Sequence, residues 1–276
     1  MPSVPSAYPR GAEWAIWDLH VHTPDSIVQN YGNSEVAWDR YIQELESLPK
    51  EVKVIGINDY WFLDGYKKVL EYKREGRLQN IESFFPVIEL RLDRFGGSDS
   101  KLSKVNLHVI FDPALKPEVI EEQFIGALKR NFRLYPDRHE VSWNAVITRS
   151  SLEDLGRKII DSAPERERKK YKSPLIEGFN NLSVSYETVM EALENHILSN
   201  RFLVGIGKTE WADIQWNDHS IADKRTIING ADLIFTAYED DRLQDWSSHV
   251  EKQKKDRVNH RILDCSDAHW FSDSSD

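Results

Sequence analysis

Cysteine is almost missing from this chain, with a single residue, Cys265, in 276. A disulfide framework and a multi-cysteine zinc site are therefore both excluded, since each needs several thiols. Long apolar runs are missing as well. Stretches such as 202–206 fall far short of the ~20 residues that a membrane helix needs. Residues 1–11 are rich in proline and serine and have no apolar centre, so they do not read as a signal peptide. Positive charge is in deficit, with 36 Lys and Arg against 46 Asp and Glu and a net charge of −10. Binding of nucleic acid by overall charge is not expected of such a chain. A local cationic group or a bound metal ion can still reverse the sign where a phosphate sits. The expectation is a cytoplasmic protein that does not touch the membrane.

What is present suits one large globular domain. Hydrophobic residues make up 40% of the chain, and 9 Trp, 10 Tyr and 11 Phe argue for a packed core despite a mean hydropathy of −0.57. Short apolar segments, many of them β-branched, recur at 15–21, 52–57, 85–92, 105–111, 202–206, 233–236 and 262–265. Most are apolar on both faces, as buried parallel strands are. Between them the pattern predicts helices. Ser34 can cap one over 35–48, with Val36, Tyr41, Ile42 and Leu45 on one face, and Asp64 can cap another that stops at Gly76. Further helices are predicted over 116–128, 151–161, 186–198, 221–229 and 242–258. Alternating strands and helices mean an α/β fold with a parallel sheet, either a seven-stranded barrel or an open doubly wound sheet. Nearly ninety residues, 113–201, pass with no convincing strand beyond a short one at 146–148. They read as a helical insertion on a loop, placed where it would shape substrate access.

Several of these strands carry metal-type ligands. Asp18, His20 and His22 alternate, so they share a face. Two imidazoles about 7 Å apart along a strand can reach one cation, and Asp18 can orient a histidine from behind. Glu89 and His108 each sit in an apolar strand, and Asp267 and His269 alternate again after 262–265. Read as strand C-termini, all of these fall on one face of a barrel, where active sites form. Other signals are weaker. The stretch 205–209 lacks the first glycine of a phosphate-binding loop, although Lys208 and Glu210 at that strand end can face the site. Arg166, Arg168, Lys169, Lys170 and Lys172 read first as a solvated helix face and second as a nucleic-acid clamp. His139, His196, His219, His249 and His260 have no ligand-like neighbours.

Asp18-Leu19-His20-Val21-His22, Glu89, His108 and Ser266-Asp267-Ala268-His269 together resemble the motifs of the PHP (polymerase and histidinol phosphatase) superfamily. The match in order and spacing covers nearly the whole chain apart from the insertion. The phrases Trp17–Pro24 and Ile55–Tyr60 look most like PHP domains at the N-terminus of AAA- or SMC-type ATPases, the TrlF-like group, which is often associated with defence against phage. The resemblance implies a distorted (β/α)7 barrel of the PHP type, with a helical insertion between strands 4 and 5, that hydrolyses phosphoesters using divalent metals. It implies that His20, His22, Glu89 and Asp267 hold a first metal, that Glu89 bridges to a second bound by His108, and that His269 belongs to a third. The chain departs from the family where Asn58-Asp59-Tyr60 replaces Thr-Asp-His, and where histidines are missing from 23–29 and from the fifth strand. One or two ions are thus expected, not a full third. Imidazole and carboxylate ligands favour Mn²⁺, Zn²⁺ or Fe over Mg²⁺.

The expected activity is a metal-dependent phosphoesterase, a nuclease on DNA or RNA, in which water activated by the metals attacks phosphorus in line. Glu89 is the expected bridge, Asp267 or Asp59 the group that orients or deprotonates the water, and His269 or Lys208 the stabiliser of developing charge. Two alternatives are a degenerate module that supports an ATPase partner and a small-molecule phosphatase. After His269 only a polar string, 270–276, remains, too short for a helix to cover the last strand. That predicts an apolar surface near Leu263 and Trp270. It also predicts a longer protein or a partner carrying the ATPase, with the oligomeric state left open.

Overall fold

The computed structural model describes residues 14–32, 34–98, 101–128, 130–134, 141–207, 221–236 and 243–272. In chain order the strands are β1 (Ile16–Val21), β2 (Val52–Asn58), β3 (Ser83–Ser98), β4 (Lys101–Phe111), β5 (Arg130–Leu134), β6 (Val141–Ala145), β7 (Phe202–Gly207), β8 (Leu233–Thr236) and β9 (Ile262–Asp264). The helices are α1 (Glu35–Ser47), α2 (Asp64–Arg74), α3 (Pro117–Gln123), α4 (Arg149–Ser162), α5 (Glu165–Arg168), α6 (Pro174–Asn181), α7 (Tyr186–Leu193), α8 (Ile221–Gly230) and α9 (Leu243–Asp256). A single sheet of 7 strands runs β1-β2-β3-β4-β7-β8-β9. It nearly closes on itself, because Val21 bridges Ala268 in parallel beyond the end of β9 and the His22 amide donates to the Ala268 carbonyl at 3.1 Å. Among the described residues, no helix is long and apolar enough to cross a membrane.

The sheet is mixed, which corrects the all-parallel expectation. β4 runs antiparallel to both of its neighbours, β3 and β7. The cause is local: Ser98 pairs with Lys101, so only two residues join β3 to β4 and no crossover helix fits between them. Strand alternation then divides the core into two. Val54, Val87, Ile110 and Phe235 form the inner group, joined by Leu19 where the β1–β2 register shifts, while Ile55, Ile57, Ile88, Leu107, Val109 and Ile234 belong to the larger group on the other face. Leu263 belongs to the interior group, so it is no part of an outer apolar face; Trp270 is exposed.

α1 begins where expected. The Ser34 hydroxyl accepts from the Ala37 amide, a cap worth about 1 kcal/mol. Its buried stripe is Ala37, Trp38, Tyr41, Ile42 and Leu45, whereas Val36 is exposed because it lies one residue off the 3–4 spacing. Asp64 is the first helical residue of α2 and not its cap, and Gly76, at φ +91°, takes the left-handed turn past its end. The segment between β4 and β7 holds α3 to α7 and also a hairpin, β5–β6. The short strand expected at 146–148 is therefore displaced to Val141–Ala145, because Thr148 caps α4 through the Ser151 amide. Val184 bridges Leu92, with the Asp93 amide donating to the Val184 carbonyl at 2.8 Å and the Val184 amide to the Arg91 carbonyl at 3.0 Å. These bonds strap the segment to β3 where β2 has ended.

Candidate metal centre

Three strands and the loop after β9 bring the ligand-type residues together inside the sheet. His20 lies on β1 and His22 one place past its end, Glu89 on β3 and His108 on β4, all buried. Glu89 and His108 are direct cross-strand partners. Neither stands at a strand C-terminus, which corrects the sequence reading. β3 continues to Ser98, and His108 reaches the site because β4 runs the opposite way. Asp267 and His269 come from the loop after β9, with Asp267 in a left-handed conformation (φ 49°) that Asp tolerates.

The donor atoms crowd one point. His20 Nε2 lies 3.3 Å from His22 Nε2, 3.5 Å from Glu89 Oε2 and 3.1 Å from Asp267 Oδ1. His22 Nε2 lies 3.7 Å from both of those carboxylate oxygens. Tetrahedral ligands about 2.1 Å from a cation stand roughly 3.4 Å apart, so these spacings are those of a coordination shell. His20, His22 and Glu89 thus form a buried group able to hold a metal ion, and His22, Asp267 and His269 form a second, less buried group that shares His22. His108 Nε2 lies 3.5 Å from Glu89 Oε2, and neither of its ring nitrogens has a hydrogen-bond partner. A buried imidazole without partners is costly, and a cation would satisfy it.

Neighbouring polar groups orient the ligands. Asn58 Nδ2 donates to Glu89 Oε2 and Asn106 Nδ2 to Glu89 Oε1, both at 2.8 Å. The Glu89 amide donates to the carbonyl of Tyr60, which sits at φ 56°, a strained value for a bulky residue. His22 Nδ1 pairs with Ser26 Oγ at 3.2 Å, and His269 Nδ1 lies 3.2 Å from the Val28 carbonyl. These second partners set which ring nitrogen faces the centre. The rings of His22 and His269 stack at 3.9 Å, and Phe235 meets His20 and His108 edge-on at 5.4 and 5.0 Å. Phe235 has room because Gly205, opposite His108 in the ladder, has no side chain; a Cβ there would come within 2.9 Å of the Phe235 ring.

The electrostatics follow from this crowding. Burial opposes charge on His20, but its hydrogen bond to Asp267, with Cys265 and Glu89, outweighs it and raises the imidazole well above its ordinary pKa. His22 is pushed well down by burial, and also by the nearby His20 and His269. Burial lowers His108 as well. Glu89 and Asp267 resist burial and stay well below the usual carboxylate range, Glu89 through His108 and His20 and Asp267 through His20 and His269.

Two expected roles are corrected. Asp18 does not orient an imidazole. Its Oδ1 accepts from the backbone amides of His20 at 3.3 Å and Ser266 at 3.2 Å, tying β1 to the loop after β9. Asp59 is buried at 1% exposure and holds Thr23, accepting from its amide at 2.9 Å and its hydroxyl at 2.7 Å, so it supports the loop after β1. Lys208, Glu210, His139 and His219 lie outside the described residues. Of the basic cluster, Arg168 donates to the Ala163 and Asp161 carbonyls at the end of α4, and Arg166 and Lys170 pair with Glu167. That is the solvated, helix-capping arrangement.

One residue was missed altogether. Arg91 lies two places beyond Glu89 on β3, on the same sheet face, with its guanidinium 4.1 Å above the Phe179 ring of α6 and Nη1 donating to Asn180 Oδ1 at 3.2 Å. Its signal in the sequence was the cation at i+2 from Glu89. A cleft of about 490 Å³ also runs beside the centre, between the loop after β1 (Pro24, Asp25, Ser26) and Arg149 and Ile176. A scan against protein-family models finds no match, and no curated protein matches the chain.

Proposed function

We propose that this chain is a metal-dependent phosphoesterase of the PHP type that acts on nucleic acid. The observation that carries the reading is the buried group His20, His22 and Glu89 at coordination spacing, with Asp267 3.1 Å from His20 and His108 3.5 Å from Glu89. Mixed imidazole and carboxylate donors suit Mn²⁺ or Zn²⁺, and iron as well, better than Mg²⁺. Bound there, a divalent ion would supply charge neutralisation for a phosphate and acidification of water. His20, His22, Glu89 and Asp267 would hold the first ion, and His108 with Glu89 would hold a second. Asn58 and Asn106 keep the Glu89 carboxylate aimed at the imidazoles. Asp267, the most exposed of the ligands, is the group best placed to accept a proton from an incoming water, and His269 Nε2, 3.2 Å from it, can pass that proton on. The preference for nucleic acid, and coupling to an ATPase module in phage defence, rest on the resemblance in the motifs.

A reduced or purely supporting module is favoured by one observation. Tyr60 stands where the family has an imidazole, burial pushes its phenol well above its ordinary pKa, and its ring packs between His22 and Phe179 at 4.8 and 4.7 Å. No third ion is expected there. The deciding experiment strips the protein of metal and restores Mn²⁺. Cleavage of labelled single- and double-stranded DNA and RNA is then followed with Glu89→Gln as control. Metal-dependent cleavage lost in the variant is expected. Binding of Mn²⁺ with no hydrolysis of any nucleic acid or small phosphoester would leave the supporting module as the correct reading.

A further inference from the structure

One cation on the sheet face of the proposed centre, Arg91, has no carboxylate partner among the described residues. Arg91 projects about 7 Å along β3 beyond Glu89, on the face that carries the ligands. It is half-buried, yet among the described residues it forms no ion pair. Its neighbours hold it without neutralising it. The Phe179 ring lies beneath the guanidinium at 4.1 Å, and Asn180 accepts one of its five N–H donors. Both neighbours belong to α6, and the Val184 strap that follows fixes that part of the chain to the Arg91 and Asp93 backbone. Phe179 in turn packs edge-on against Tyr60 at 4.7 Å, and Tyr60 against His22 at 4.8 Å. One contiguous set of contacts therefore runs from the metal-ligand rings to the guanidinium. In a chain of net charge −10, an arginine held by a ring and an amide on the face of two carboxylate ligands, with no ion pair among the described residues, is a place kept for an anion.

We propose that Arg91 is the substrate-binding residue that grips the phosphate of the phosphoester, and that Phe179 and Asn180 are positioning residues which preset its fork. The guanidinium takes two non-bridging phosphate oxygens while the ester bond lies toward Glu89 and Asp267. The segment between β4 and β7 thereby completes the site from outside the main sheet. This inference rests on the phosphoesterase reading, and the test separates the two.

Wild type, Arg91→Gln, Arg91→Lys and Asn180→Asp are compared by calorimetry, first with Mn²⁺ alone, then with inorganic phosphate and dimethyl phosphate added to the Mn²⁺-loaded proteins. The two anions stand for a terminal and a backbone phosphate. All four proteins are expected to bind Mn²⁺ within about twofold of each other, since none of the changes touches a ligand. Arg91→Gln should weaken binding of whichever anion the wild type takes by at least about tenfold, with Arg91→Lys recovering part of it. Asn180→Asp, which sets a competing carboxylate against the guanidinium, should weaken it as well. Wild-type affinity for phosphate in Arg91→Gln, or no anion binding by the Mn²⁺-loaded wild type, overturns the anchor and leaves the metal centre standing. Failure of the wild type to bind Mn²⁺ overturns the phosphoesterase reading itself. In that case anion binding by the metal-free protein still decides Arg91, by its loss or survival in Arg91→Gln.

Discussion

The ligands of the proposed centre come from two kinds of structure. His20, Glu89 and His108 sit on paired strands, with His22 one place past the end of β1, and all four are buried, with residue exposures of 7, 3, 1 and 0%. Asp267 and His269 sit on a loop, with side-chain exposures of 46 and 18%. The strand-borne set is placed by alternation and ladder register, which many backbone hydrogen bonds maintain at once. The loop-borne pair depends on a few contacts: the Val21–Ala268 bridge, the Asn30 amide on the His269 carbonyl at 2.8 Å, and Asp18 on the Ser266 amide. A rigid wall thus faces an adjustable door. The wall determines where a cation can sit, and the exposed Asp267 is the ligand that substrate or water meets.

That contrast predicts unequal losses. Glu89→Gln removes the buried carboxylate that faces His20, His22 and His108 and should weaken Mn²⁺ binding at least about a hundredfold, measured by calorimetry on metal-free protein. Asp267→Asn keeps a side chain that tolerates the left-handed backbone and should cost only about 10- to 100-fold in the same titration. Equal losses in the two variants would erase the distinction between wall and door.

Acidification tests His20, the wall residue that Asp267 of the door touches. A cation needs neutral imidazoles, and the raised pKa of His20 keeps its proton on above the ordinary 6.5 in the metal-free protein. Affinity for Mn²⁺ should therefore climb by about tenfold per pH unit as pH rises toward the pKa of His20, and level off above it. Glu89 and Asp267 are already ionised in that range and add nothing to the slope. A flat profile between about pH 6 and 8 would show that His20 carries no proton for the metal to displace.

Smaller effects are expected where residues support the wall from behind. Burial, against the hydrogen bonds from Thr23, raises Asp59 from its ordinary 3.8 to about 7. The folded state then keeps a proton that the unfolded chain releases, so this contribution to stability is full below about pH 4 and fades as pH rises to 7. Asp59→Asn mimics the protonated form, and its melting temperature should gain on the wild type between about pH 4.5 and 7.5. Smallest of all is Tyr60→Phe, which keeps the ring between His22 and Phe179 and should change Mn²⁺ affinity by less than about twofold. A loss matching that of Glu89→Gln would give the phenol a ligand's role.

Much of this was legible in the residues. All seven strands of the main sheet were found, with β8 matching at both ends, and the Ser34 cap and the alternation of His20 with His22 stand as read. Each of these is a local property, carried by neighbours two to four places apart. The direction of β4 was missed because both strands were read as shorter than they are, 85–92 and 105–111, which hid the two-residue connection between them. Asn106 was missed for a different reason: an amide in an apolar strand has no signature until its partner, Glu89, is known to lie across the ladder.

Side-chain alternation and helix caps arise from sterics and hydrogen bonds inside one element, so the sequence alone determined the strands, their faces and the types of ligand available. Only the tertiary structure decided that Glu89 meets His108 and that Asp18 serves the barrel seam and not an imidazole, its Ser266 partner lying 248 residues away. It also decided that Arg91 rests on Phe179, whose helix comes from the far side of two hairpins. Pairings of that kind depend on the free energy of competing registers and directions, which is shared among residues too distant in the chain for any local pattern to record.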